Sequence, residues 1–321
     1  MGARITTRAP LPRPRKRNMA PTLKTFVTDY FRPEHIATLR PAGQEHYEYL
    51  LRVHLLPTFG DTSLTAVTPC DVQRHLATKA RDGYSKQTIT HMRSALTAVY
   101  LHAKMLGFCD GPPTAGVKCH GADAEIARSF SAAEVRSLFE AIPAPYNNLV
   151  RLLAGAGLRI GEALGLRWKY VNMTDQHVVR DGTPIPPYCL MVVQAYSRGR
   201  WGKPKTARSR RLIPMSSMVW AAMAEMCEQD STATPESPVF RGRTGQPWDA
   251  ANVAKRFLKP AGETIGCPWA HWHCFRHTAA SLSDLDAVSR QKFLGHTSAA
   301  MTAHYTHPDL EMVRAGLERV S

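Results

Sequence analysis

Five short stretches of this 321-residue chain carry side chains able to act together on a phosphate ester. In residues 154–164, glycines interrupt one helical run, Arg159 stands where the next begins, and Glu162 follows one turn later, close enough to brace the guanidinium. Residues 197–211 hold Arg198, Arg200, Lys203, Lys205, Arg208, Arg210 and Arg211, seven cations and no acid. Cations gathered at a hairpin tip suit a nucleic-acid groove, and a lysine there can give a proton to an oxygen leaving group. In His273-Cys274-Phe275-Arg276-His277-Thr278, His273 and Arg276 fall on one helix face and can address one phosphate. Phe293-Leu294-Gly295-His296 comes next, and nine residues later Tyr305 offers a phenol.

Each of these has a plainer explanation when taken singly. Arg159 with Glu162 matches a surface ion pair, worth at most ~1 kcal/mol. Every cation of residues 197–211 except Lys205 serves equally well as a generic phosphate contact. A zinc site has some support from His271, His273, Cys274, His277, His296, His304 and His307. Zinc ligands come as regularly spaced pairs, however, and after His271-x-His273 no second pair follows. No metal site is expected. The order of the stretches is what distinguishes them.

The series Gly-Leu-Arg-x-x-Glu, Pro-Lys-Thr in a basic hairpin, His-x-x-Arg-His-Thr, Leu-Gly-His, then a tyrosine nine residues on resembles the tyrosine recombinases. That family includes phage integrases, bacterial chromosome-dimer resolvases and Cre-like enzymes. The resemblance runs from about Ser129 to the end, and the helices before it are similar, with less specific motifs, to the family's core-binding domain. Position by position, it assigns Arg159 and Arg276 to the phosphate-clamping arginines and Lys205 to the hairpin lysine, the general acid. Lys203 is the neighbouring register for that role. His273 and His296 match the active-site histidines, and Tyr305 matches the nucleophile. Two features depart from the family pattern. Cys274-Phe275 replace an acidic residue and a leucine, and the segment from Arg276 to His296 is shorter and lacks the usual glycine before Leu-Gly-His. Neither removes a catalytic side chain, and the second bears on where His296 lies.

The resemblance implies an enzyme that cleaves DNA through a 3′-phosphotyrosyl ester and frees a 5′ hydroxyl. The ester keeps the energy of the broken bond, so no ATP is needed. Side-chain cations offset the transition-state charge, so no metal or other cofactor is expected. Integration and excision of a phage or other mobile element is the first expectation, and chromosome-dimer resolution the alternative. An inactive DNA-binding regulator would be expected to lack the tyrosine or an arginine, and all are present. A type IB topoisomerase shares the chemistry but relaxes DNA instead of exchanging strands. The expected partner is double-stranded DNA, held by a homotetramer on two sites with accessory DNA-bending proteins. The C-terminal stripe Leu310, Val313, Leu317 and Val320 would dock into a neighbouring protomer or, alternatively, close its own domain's core.

These residues need a scaffold, and the periodicity outlines one: mainly α with a small antiparallel β-sheet. Residues 1–21 form a basic arm, Arg4 to Arg17 supplying six cations and no acid, with too little apolar surface to fold alone. Residues 22–108 read as a helical core-binding domain. Thr68-Pro69 opens one helix, Tyr47, Leu50, Leu51 and His54 mark another, and Ser85 caps a third. That third helix shows Ile89, Met92, Leu96, Val99, Tyr100 and Ala103 on one face and stops at Gly107. Lys86 and Arg93 on it are candidate DNA contacts. Residues 109–128, rich in glycine and proline, read as a linker. Residues 129–321 form a mixed α/β catalytic domain opened by the capping box Ser131/Glu134, with strands at 188–195 and 211–214 around the basic turn. The net charge of +15 and pI ≈ 9.7 favour a nucleic-acid partner. No apolar run is long enough to cross a membrane. Seven cysteines without a Cys-x-x-Cys pair argue for reduced thiols and a bacterial cytoplasm, at the nucleoid.

Overall fold

A computed structural model describes residues 20–122, 128–202, 210–282, 314, 317 and 318. The chain divides into two compact units, residues 1–126 and 127–321. Among the described residues it is mainly helical, and the small antiparallel sheets lie in the second unit.

In the first unit Thr22 caps a helical run of three segments, Leu23–Phe26, Val27–Phe31 and Arg32–Glu34. A second run joins Pro41–Tyr49, Leu50–Leu55 and Leu56–Phe59. Helices α1 (Pro69–Arg81) and α2 (Lys86–Met105) complete the unit. Thr68 and Asp71 cap α1 reciprocally, and Pro69 sits in the first turn, where no backbone donor is needed. Ser85 caps α2 by accepting from the Thr88 N–H. At its other end Gly107, φ 79°, lets Phe108 N–H reach the Ala103 carbonyl at 2.9 Å and Gly107 N–H reach Lys104 at 3.0 Å. The apolar face of α2 from Ile89 to Ala103 is buried, worth ~1.5–3 kcal/mol for each large side chain.

The segment following α2 is held down as far as residue 122. Val117 lies in the first unit's core. Arg93 Nη1 donates to the Val117 carbonyl at 2.9 Å, Gln73 and Lys118 exchange two hydrogen bonds, and Lys86 N–H donates to the Ala122 carbonyl. Glycine and proline therefore mark an irregular path over the helices here, tied to them by the backbone groups of Val117, Lys118 and Ala122.

The second unit contains α3 (Ala132–Ala141), α4 (Tyr146–Ala156), α5 (Ile160–Leu164), α6 (Ser217–Glu228) and α7 (Trp272–Leu282). Helical segments Ala250–Val253, Ala254–Leu258 and Lys259–Thr264 precede α7. Helix α4 is central and packs against α3, α6 and α7, so Leu149, Val150, Leu152, Leu153 and Ala154 are fully buried. Strands β1 (Val171–Asn172), β4 (Cys189–Val192) and β7 (Arg211–Pro214) form an antiparallel sheet in the order β1-β4-β7, with Leu190 opposite Ile213. Strands β2 (Val178–Arg180) and β3 (Thr183–Ile185) form one separate hairpin, and β5 (Ala195–Ser197) and β6 (Arg200–Gly202) another.

The strand expectations need revision in two places. The first strand ends at Val192, and β5–β6 turns back at Arg198-Gly199. Within residues 197–211, then, the described part is a hairpin tip and strand, not one open turn. The β2–β3 hairpin was not anticipated, although Asp181-Gly182 is a strong hairpin signal. Both turns have positive φ at each central residue (49° and 72°; 50° and 74°), which matches the twist of the flanking strands. Their strands are three residues long, too short for alternation to register.

Near the C-terminus, Leu317 is fully buried in the second unit's core. The Glu318 carboxylate accepts from Ser217 N–H at 2.8 Å and from Ser217 Oγ–H at 2.7 Å, capping α6. Among the described residues no helix is long and apolar enough to cross a membrane.

Candidate active site

Gly157 ends α4 in a left-handed conformation, φ 59°, and this turn places Arg159 at the N-terminus of α5. The Glu162 carboxylate accepts from the Arg159 backbone N–H at 3.0 Å and from Arg159 Nη1 at 2.9 Å. A second guanidinium reaches the same carboxylate from β7: Arg211 Nη2 donates to Oε2 at 2.8 Å and Nη1 to Oε1 at 3.3 Å. The side chains of Glu162 and Arg211 are 4% and 7% exposed, and that of Arg159 is 37%. Glu162 is therefore a buried carboxylate shared by two arginines, and Arg159 keeps an open edge. Burial alone would raise the Glu162 pKa. The hydrogen-bonded charge of Arg211, and then that of Arg159, reverses this and holds it below the usual carboxylate range.

Arg276 enters from α7, buried, with Nη1 donating to the Gly157 carbonyl at 2.8 Å. Its pKa is pushed down to about 9 by burial and then by the charges of Arg159 and Arg211, so it remains a cation at neutral pH. His273 lies one turn earlier on α7. Partial desolvation lowers its pKa first, followed by His277 and Arg276, so the neutral imidazole is favoured. Its ring stands edge-on to His277 at 4.7 Å. Three guanidiniums and one carboxylate leave two net positive charges at this place. Fixed cations in a partly desolvated site stabilise an anion that gains charge in the transition state.

The remaining sequence candidates are distributed as follows. Arg198 forms the β5–β6 tip, Arg200 lies on β6 and Arg210 directly precedes β7, all three exposed. Hairpin β5–β6 lies against α5 because Gly165 has no side chain; a Cβ there would stand 2.8 Å from Ala195 Cα. Trp201 on β6 carries the Arg167 guanidinium 4.5 Å above its ring. In the first unit Lys86 is exposed on the first turn of α2, and Arg93 is engaged with the Val117 carbonyl. Lys203, Lys205, Arg208, His296 and Tyr305 lie outside the described residues.

The two positions at which the third motif departs from the family pattern serve the core. Cys274 and Phe275 are fully buried, Phe275 against Phe130 with ring centroids 4.8 Å apart. Cys274 Sγ lies 2.7 Å from His271 Nδ1. Thr278 is also structural, its Oγ accepting from Phe130 N–H at 2.8 Å. Arg211 is the residue that sequence reasoning passed over by grouping it with six other cations. Its signal was its place: it is the last cation before the apolar run Leu212-Ile213, at the start of the strand that joins the central sheet. Among the described residues no three His, Cys, Asp or Glu side chains are gathered where one metal ion could bind.

Comparisons with known proteins identify the family and the fold. The model of the Phage integrase family matches residues 128–312, more than half of the chain. Tyrosine recombinase XerC of Xylella fastidiosa (strain M23) is 27% identical over 257 residues, covering 77% of this chain and 79% of the relative. A XerC-like tyrosine recombinase of Caldanaerobacter subterraneus subsp. tengcongensis is 26% identical over 271 residues, covering 76% and 68%. The Tn1549 transposon integrase in complex with transposon right end DNA superposes with a TM-score of 0.72 at 20% identity, over 93% of this chain and 99% of that one. A lambda integrase tetramer bound to a Holliday junction gives 0.67 at 16% identity, over 89% and 81%. At such identities the two structures speak for the fold alone. With the family match and the curated relatives, the chain belongs to the phage integrase family and is a tyrosine recombinase, an enzyme of site-specific DNA recombination.

Proposed function

We propose that this recombinase integrates or excises a phage or other mobile element, with Tyr305 as nucleophile. The observation that carries the site assignment is the convergence of Arg159, Arg211 and Arg276 around Glu162, beside His273. In the reaction the Tyr305 oxygen bonds to the scissile phosphorus and its proton passes to a neighbouring base or water. Arg159 and Arg276 hold the non-bridging oxygens as charge builds on them, and His296 donates to the same phosphate. His273, neutral by preference, orients the phosphate or accepts the phenol's proton. Lys205 gives its proton to the departing 5′ oxygen, a step worth ~10²–10⁴-fold in rate. The 3′-phosphotyrosyl ester then undergoes attack by a 5′ hydroxyl of the exchanged strand, which reverses these transfers.

Double-stranded DNA is the partner, contacted by Lys86 of the first unit and by Arg198, Arg200, Lys203, Arg208 and Arg210 of the second, with accessory DNA-bending proteins. Strand exchange joins two duplexes, and four protomers would supply the four tyrosines. The C-terminal tail would link them by occupying, on a neighbour, the seat that Leu317 and Glu318 fill within this chain. The XerC relatives support a second reading, chromosome-dimer resolution.

The test is covalent capture. Duplexes tiling the DNA that flanks the gene, each nicked just downstream of a candidate site so that the short fragment bearing the freed 5′ hydroxyl is lost on cleavage, are incubated with the chain and denatured. A protein–DNA adduct that disappears in Tyr305→Phe supports the mechanism, and sequencing the captured duplex separates an element boundary from a chromosomal resolution site. An adduct that persists in Tyr305→Phe overturns the nucleophile.

A further inference from the structure

We propose that Arg211 is a positioning residue for strand cleavage, fixing the phosphate-facing edge of Arg159 through the carboxylate of Glu162. The inference rests on the recombinase reading above and adds a residue to it. Glu162 has two oxygens, each of which accepts from one Arg159 donor and one Arg211 donor: Oε2 takes Arg159 N–H and Arg211 Nη2, and Oε1 takes Arg159 Nη1 and Arg211 Nη1. With all four bonds made, the carboxylate plane cannot rotate. Arg159 Nη1 is then held by a fixed acceptor, while the side chain stays 37% exposed and open to a phosphate.

Arg211 contributes more than charge. A buried carboxylate with one partner carries an uncompensated desolvation cost, and Arg211 is the stronger of the two partners at Glu162. Without it Glu162 would tend to take up a proton, lose its grip on Arg159 and free the guanidinium to sample other rotamers. A lysine could restore the charge but not the two-pronged contact, since the ammonium is a point donor on a flexible stem. Arg211 is also the first residue of β7, paired in register with Val192 of β4. The sheet therefore holds it, and the contact to Glu162 ties the sheet to α5.

The experiment uses the duplex captured by the wild-type full-length chain, with Arg211→Lys, Arg211→Met, Glu162→Gln and the double variant Arg211→Met/Glu162→Gln. The double variant removes the buried pair as a unit, which often leaves stability intact. It keeps the test meaningful if Arg211→Met alone does not fold. Circular dichroism melting and half-site affinity report folding and binding, and single-turnover adduct formation reports cleavage. We expect Arg211→Lys and the double variant to melt and bind like wild type yet cleave ~100-fold more slowly, the cost of misplacing a reacting group by about 1 Å. A second substrate carries a neutral methylphosphonate at the scissile position, which removes the charge that Arg159 meets. On it the Arg211→Lys defect should shrink together with that of Arg159→Ala. Folded Arg211→Lys and double variants that cleave at the wild-type rate overturn the positioning role and leave the recombinase reading standing. So does a defect that is unchanged on the neutral substrate while that of Arg159→Ala shrinks. Absence of any adduct from wild type overturns the recombinase reading and the role of Arg211 with it.

Discussion

Arg276 on α7 donates through Nη1 to the carbonyl of Gly157, the residue whose left-handed turn ends α4 and leads into Arg159. One hydrogen bond of 2.8 Å thus joins the two arginine motifs, which lie more than a hundred residues apart in the chain. It also satisfies a carbonyl at the buried end of α4.

Substituting Arg276 should therefore impair both the clamp and the turn. Arg276→Lys is expected to cleave on the order of 10²–10³-fold more slowly, the usual effect of removing one preorganised donor from a transition-state oxyanion. DNA affinity should change little by comparison. Single-turnover adduct formation on the captured duplex measures the rate, and a variant within a few-fold of wild type would remove Arg276 from the clamp.

For Lys205, the expectation depends on the leaving group. Lys205→Ala should be slow on an ordinary strand and recover most of its rate on a 5′-bridging phosphorothiolate, whose thiolate leaves without being protonated. Equal slowness on both substrates would reduce Lys205 to a phosphate contact. Recovery confined to Lys203→Ala would move the role two residues back.

Leu317 and Glu318 give a prediction on stability. Leu317→Ala should cost ~2–5 kcal/mol, as for a buried leucine replaced by alanine, and Glu318→Ala about 1 kcal/mol for the lost cap at Ser217. Chemical denaturation of the DNA-free chain checks both. If instead the tail packs only on a neighbour, truncation after Pro308 will leave the monomer's melting unchanged while abolishing cooperative binding to full sites.

The first unit should be acid-sensitive because of His75. This histidine is buried, within 3.2 Å of Thr58 Oγ, and burial followed by the charges of Lys79 and His54 depresses its pKa to about 4. An unfolded histidine titrates near 6.5, so the unfolded chain takes up the proton first. The stability that neutral His75 contributes is complete above that value and falls as pH drops from ~6.5 toward 4, by roughly 2 kcal/mol at pH 5. Urea unfolding followed by ellipticity at pH 7 and pH 5 measures the loss, and His75→Gln should flatten it. Equal wild-type stability at the two pH values would contradict the assignment.

Much of this protein is set locally and can be read from the chain. Helix α2 follows from an apolar face repeating every three to four residues, a serine cap and a terminal glycine, α1 from its Thr68-Pro69 start, and α3 from its capping box. All of these interactions close within a few residues. Arg159, Arg276 and His273 were recognisable because the order of their motifs along the chain resembles the tyrosine recombinases. Arg211 was not. Its neighbours place it on a strand but do not name its partner Glu162, which lies 49 positions away and is brought into reach by the pairing of β7 with β4. The same holds for Arg93, which looks like a free cation on a helix surface but is spent on the Val117 carbonyl. A sequence states which side chains are charged. Whether a charge faces solvent, a phosphate or a buried carboxylate depends on desolvation and on partners that only the folded chain brings together.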